Sequence, residues 1–197
     1  MPTSLQYLHS KLLFAIYCID CLYHYFLKPS LWDIIIGWRT FLFGEILKMD
    51  TYRIAFIGHR EIEGKQYLEV PLDKLIKENL REQDFVELLV GSVGDFNLLA
   101  SISAKMVQRA VGKQNNRLVL IMPYHTQNDD FYERFYDEVR YIELKNDHQT
   151  IASKRNKWMI DHADLLVAYV EPDRNGEAMT ALKYAERKGV KIINLAI

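Results

Sequence analysis

Three short stretches of this chain carry residue types that can hold an anion. They are Gly58-His59-Arg60, Gly91-Ser92-Val93-Gly94 and Asn175-Gly176. A glycine lets backbone turn tightly or approach a ligand closely. A glycine-rich turn that opens a helix adds free N–H groups and the positive end of the helix dipole, a ready anion site. Each stretch alone reads equally as a strand-to-helix turn with glycines for packing, since one glycine is far weaker than a full dinucleotide fingerprint. It is their recurrence that points to a shared ligand site.

The elements that must position them follow from the hydrophobic pattern. Ile54-Ala55-Phe56-Ile57 runs straight into Gly58 and reads as a strand buried on both faces. Phe85–Val90 leads in the same way into Gly91–Gly94, and Leu165–Val170 leads toward Asn175-Gly176. Arg117–Met122, stopped by Pro123, Val139–Leu144 and Lys191–Leu195 are the other expected strands. Between them lie helices. One starts at Val70-Pro71 and carries Leu72, Leu75, Ile76 and Leu80; proline suits a first helical turn. Another, capped by Asp95 or Asn97, carries Leu98, Leu99, Ile102, Met106 and Val107 as its apolar residues. Tyr124–Tyr136 reads as an irregular insert with one short helix from Asp129-Asp130, its aromatics seated on the core. Ile151–His162 and Glu177–Lys188 are further helices, the latter closed by Gly189. Strand and helix in alternation call for a mainly parallel sheet covered on both faces. Right-handed crossovers then bring the three glycine junctions to one edge of that sheet.

Composition narrows the function classes. The chain has 197 residues, with 25 Lys and Arg against 26 Asp and Glu. A balance this close to neutral exerts no global pull on nucleic acid or an acidic membrane. Cys18 and Cys21 are its only cysteines. They have no second pair and no turn punctuation, so they read as two thiols on an apolar face, and no metal site is expected. The cysteine-free body fits a reducing cytoplasm.

Residues 1–48 differ from the rest. Leu12–Leu47 is rich in apolar and aromatic residues, with Lys28-Pro29-Ser30 as its break. Asp20 and His24 interrupt the first half, and Asp33, Arg39 and Glu45 the second, so neither suits a membrane span of ~20 apolar residues. A small-residue cleavage site of the signal-peptide kind is missing. A pair of amphipathic helices on a membrane or partner is one reading. The favoured one is an upstream in-frame extension without a designed role, since Met49 stands four residues before the first core strand. The domain proper is then 49–197.

Within that domain, three stretches together resemble the SLOG superfamily, Rossmann-like domains related to the cytokinin-activating LONELY GUY proteins and to the DNA-processing protein A family. They are Phe56-Ile57-Gly58-His59-Arg60, Val90–Asn97, and Arg155–Asp161 with Ala163-Asp164 and the Asn175-Gly176 loop. The likeness is greatest to the uncharacterised bacterial YpsA-like branch and spans about Tyr52 to Leu195. It implies a doubly wound Rossmann-like fold that binds a nucleotide or nucleotide-derived ligand at the strand ends. Gly58, Gly91 and Gly94 would bring backbone to the ligand, with Ser92, Asn175 and Gly176 beside them. Arg155 would be the phosphate clamp, a guanidinium matching phosphate bidentately, and Arg60 a second clamp. His59 would read a ligand edge or cover the turn.

Two departures bear on catalysis. The enzymatic LONELY GUY members carry Pro-Gly-Gly-x-Gly-Thr followed by a glutamate; here the loop is Asn175-Gly176-Glu177-Ala178-Met179-Thr180, and that glutamate is missing. Branch relatives often have aspartate where this chain has Asn97. A non-catalytic nucleotide sensor without a separate cofactor is therefore expected first. Phosphoribohydrolase-like cleavage of a nucleoside monophosphate is the alternative, with Asp95 and Glu177 as the carboxylates to carry it. Single-stranded nucleic-acid binding comes last. The partners expected are the small ligand and, as an open option, a second copy of the chain; membrane contact is expected only if residues 1–48 are native structure.

Overall fold

A computed structural model of the chain describes residues 50–143 and 150–196. The expectations for residues 1–48, including Cys18 and Cys21, lie outside them.

Six strands form one sheet, and every pairing is parallel. They are β1 (Thr51–Gly58), β2 (Phe85–Gly91), β3 (Asn116–Met122), β4 (Glu138–Tyr141), β5 (Leu165–Tyr169) and β6 (Lys191–Asn194). Five α-helices connect them: α1 (Glu69–Glu82), α2 (Asp95–Val111), α3 (Asp129–Phe135), α4 (Ile151–Asp161) and α5 (Glu177–Lys188). The order in the sheet is β4-β3-β2-β1-β5-β6. The chain thus steps outward from β1 through β4, then returns to lay β5 against the other side of β1. Reversing direction under a fixed crossover hand moves the connecting helices to the opposite face. Buried side chains divide accordingly. Ile54, Phe56, Leu88, Val90 and Leu120 share one core with α1 and α2. Ala55, Ile57, Leu89, Ile121 and Leu166 share the other with α4 and α5. This is a doubly wound, Rossmann-like α/β fold, and its strand order reverses between β1 and β5.

Most expected elements stand within two residues of their places, and the differences have local causes. Helix α1 begins at Glu69, ahead of Pro71, because a short 3-10 turn (Lys65–Leu68) feeds directly into it. A proline inside the first turn costs nothing, as its missing N–H has no acceptor there. β4 stops at Tyr141, short of the expected Leu144. The N-cap of α2 is Gly94, with no side-chain cap; Asp95 and Asn97 are both used elsewhere. The larger correction concerns α2's apolar residues. Leu99, Ala100, Ala104 and Val107 are buried, whereas Leu98, Ile102 and Met106 face outward.

One buried acid lies on the α4/α5 face of the sheet. Glu87, in β2, sits level with Arg53 and Arg117 on the neighbouring strands. It accepts from Arg53 at 3.0 Å and from Arg140 at 2.9 Å. Burial alone would raise its pKa; the two guanidiniums outweigh that and hold it below the ordinary value.

Among the described residues no helix is long and apolar enough to cross a membrane.

Candidate functional site

Because all strands are parallel, the three glycine junctions lie at one edge, as the crossover rule requires. They are built differently from one another.

At the end of β1, a Cβ on Gly58 would stand 2.5 Å from Cγ of Phe96, a fully buried ring stacked on Tyr169. Gly58 is thus required by Phe96 in the first turn of α2. His59 follows and is buried. Its backbone N–H donates to the Tyr169 carbonyl, and its Nε2 accepts from the Glu171 N–H at 3.0 Å. That bond fixes the neutral tautomer with the proton on Nδ1. Burial pushes the imidazole pKa down, nearby Arg174 adds to this, and Glu171 opposes it. Of the two roles expected for His59, the geometry is that of a cover, zipping the β1 loop to the β5 loop. Arg174 reinforces the zip by donating to the Glu61 carbonyl at 2.8 Å. The crevice at the strand-order reversal, where ligands bind in many open α/β sheets, is thereby bridged.

At the end of β2, the chain turns through Gly91–Gly94 into α2. A Cβ on Gly91 would stand 2.6 Å from Cζ of Arg155, so the guanidinium lies flat against this backbone. Gly94 has φ +103°, and a Cβ there would meet the Arg60 Cα at 3.1 Å. The loop is latched by Asn97. Its Oδ1 accepts from the Gly91 N–H at 3.0 Å, and its Nδ2 donates to the Val93 carbonyl at 2.6 Å. An amide serves both bonds and a carboxylate can only accept. The asparagine that departs from the branch pattern therefore holds the loop, and it does not stand in for a missing acid. Asp95 faces away from the helix axis: its carboxylate accepts from the Ile62 N–H and from Lys65 Nζ, each at 3.0 Å. These two donors hold its pKa below the usual carboxylate range.

Between these two junctions is a cleft of about 260 Å³ lined by Arg60, Gly91, Ser92, Gly94, Asp95, Leu98 and Tyr136. Arg60 is exposed at its mouth and has no ion-pair or side-chain hydrogen-bond partner among the described residues. Tyr136 closes the far side. Ser101 donates its hydroxyl proton to the Asn97 carbonyl, so the Tyr136 hydroxyl is the donor in the 3.4 Å contact between the two side chains. Burial raises the Tyr136 pKa, keeping the phenol protonated. Arg155 is not in the lining. It is buried behind Gly91, with Nη2 donating to Asn156 Oδ1 at 3.1 Å and Nε without a partner among the described residues. Burial and the nearby Arg60 lower its pKa, and Glu177 offsets part of this. Arginine remains charged even so. A positive charge thus lies directly beneath the loop.

The third junction stands apart from this cleft. Asn175 and Gly176 are exposed, and nothing lies within 4 Å of where a Gly176 Cβ would be. Glu177 opens α5 and accepts from the Thr150 hydroxyl, the N-cap of α4, at 2.7 Å. Of the expected ligand residues, Arg60, Gly91, Ser92 and Gly94 line one cavity, joined by Asp95; Asn175, Gly176 and Glu177 are not in its lining. Sequence reading missed Tyr136, Leu98 and the Asn97 latch. The spacing of Asn97 from Val93, one helical turn, was the available signal for the latch. Tyr136 lies in the insert, where no periodicity marks it.

Among the described residues no three His, Cys, Asp or Glu side chains are arranged to hold a metal ion. The fold and cleft define a Rossmann-like α/β protein with a cationic cradle beside its strand-order reversal. A scan against protein-family models gives no match, and a search of curated proteins gives none either.

Proposed function

We propose that the protein binds a nucleotide or nucleotide-derived ligand through its phosphate in the cleft between the β1 and β2 loops, as a sensor module of the SLOG kind. The observation that carries this reading is the buried Arg155 guanidinium against Gly91. A desolvated cation without a carboxylate partner is costly unless an anion offsets it. The loop directly above offers the free N–H groups at the start of α2 and the exposed Arg60. Phosphate oxygens would accept from Ser92, the α2 amides and Arg60, while Arg155 supplies field from beneath. Leu98 and Tyr136 provide an apolar and a phenolic wall for a base or sugar.

The hydrolytic alternative fits less well. It needs a carboxylic acid near the glycosidic bond. Asp95 is held ionised by Ile62 and Lys65, and Glu177 is tied to Thr150 outside the cleft. Nucleic-acid binding needs stacking aromatics along a basic groove. Here Tyr132, Phe135 and Tyr136 pack against the core instead.

Calorimetric titration of the full chain with nucleoside 5′-monophosphates, and with the parent nucleosides as controls, tests the proposal. Binding that requires the phosphate is expected. Equal affinity for the nucleoside, or none for any member of the series, would remove the phosphate cradle from the account.

A further inference from the structure

Helix α2 has no polar face. A helix on one side of a sheet normally shows charged residues to water, and its neighbour α1 does so, with Lys74–Glu78 and Asp73–Lys77 pairs one turn apart. The exposed residues of α2 are Leu98, Ile102, Met106, Arg109, Ala110 and Val111. Lys105, beside the stripe, is paired with Asp137. Helix α3 lies along the same side through the Tyr136–Ser101 and Lys105–Phe135 contacts and adds Phe131, which is 61% exposed. At 42–55% exposure for the three stripe residues, the patch with Phe131 presents on the order of 400 Å² of apolar surface, at the size where monomers usually carry an interaction site.

We infer that this face is a two-fold interface between copies of the chain. Three features select a second copy as the occupant. The stripe is symmetric: Leu98 and Met106 each stand four residues from Ile102. An axis through Ile102 packs each Leu98 on the other copy's Met106, along the i±4 ridges that helix pairs most often interdigitate. The charges agree: the axis keeps the two Arg109 side chains at opposite ends, each toward the other copy's Asp95 turn, so no like charges meet. The area agrees as well. A stable interface takes about 800 Å² per partner, of which somewhat over half is apolar, and the patch supplies that apolar centre. The interface is continuous with the cleft, because Leu98 belongs to both. In the dimer, Met106 of the second copy becomes part of the cleft's rim.

The inference does not depend on the identity of the ligand, and its test needs none. Sedimentation of the full chain is expected to show a dimer, and Ile102→Glu a folded monomer by circular dichroism. A second variant covers the case in which Ile102→Glu fails to fold. Ile102→Cys, in a Cys18→Ser/Cys21→Ser background, places two thiols on the axis and is expected to give a disulfide-linked dimer on mild oxidation. A monomeric wild-type protein, a dimer that survives Ile102→Glu, or failure of the Ile102→Cys chain to cross-link would each overturn it.

Discussion

The β2–α2 and β5–α5 junctions look alike as sequence: an apolar strand, a turn with glycine, an acidic residue, a helix. Their physical states differ. In the first, each glycine makes room for a neighbour, Arg155 at Gly91 and the Arg60 backbone at Gly94, and Asn97 satisfies the loop's own polar groups. In the second, Gly176 faces open space and Glu177 reaches away to Thr150. Glycine therefore serves protein packing at one junction and leaves backbone bare at the other. A preorganised cradle is the product of the first arrangement, since its N–H groups are fixed before a ligand arrives.

Substitutions should separate the packed junctions from the open one. The largest effect is expected at Gly58, where alanine drives a methyl into Phe96, a ring with no free space around it. Gly58→Ala should cost ~3 kcal/mol in urea unfolding, the upper range for overpacking a core. Asn97→Asp comes next. It keeps the acceptor for Gly91 and sets a carboxylate oxygen against the Val93 carbonyl, for a loss of ~2 kcal/mol at neutral pH. Part of that loss should return in acid, where a protonated carboxyl can donate again. Gly176→Ala meets no atom, but its φ of +153° disfavours a side chain, so ~1 kcal/mol is expected. A Gly176 effect as large as that of Gly58 would erase the contrast.

Much of this was legible beforehand, and the reasons are specific. Buried parallel strands write themselves as unbroken apolar runs, so Ile54–Ile57 and Leu165–Ala168 could be placed from pattern alone. Gly189 marked the end of α5 because the αL conformation there favours glycine. The roles of the site residues were not legible in the same way. Nothing local shows that Gly58 answers to Phe96, or that Arg155 lies behind Gly91, because those contacts are made across the fold. The outward Leu98, Ile102 and Met106 were read with the core because spacing shows that a helix has an apolar stripe, not how many partners the stripe has.

The smallest expected effect is a pH dependence at the zip between the β1 and β5 loops. His59 has a lowered pKa and accepts from Glu171 while neutral. Its stabilisation is complete above the unfolded value of about 6.5 and is lost as pH falls below it, because the unfolded chain then binds the proton more readily. Urea midpoints measured from pH 7.5 down to 5.5 should fall, and His59→Gln should flatten that slope.

The central claim is that the phosphate cradle is the β2–α2 junction. Hydrogen–deuterium exchange of the full chain, with and without a saturating nucleoside 5′-monophosphate, tests it most directly. The account predicts slowed exchange for the amides of Ser92 to Asn97, with those of Gly176 to Met179 unchanged. Protection confined to Gly176–Met179 would contradict it and move the ligand to the junction whose glycine stands open.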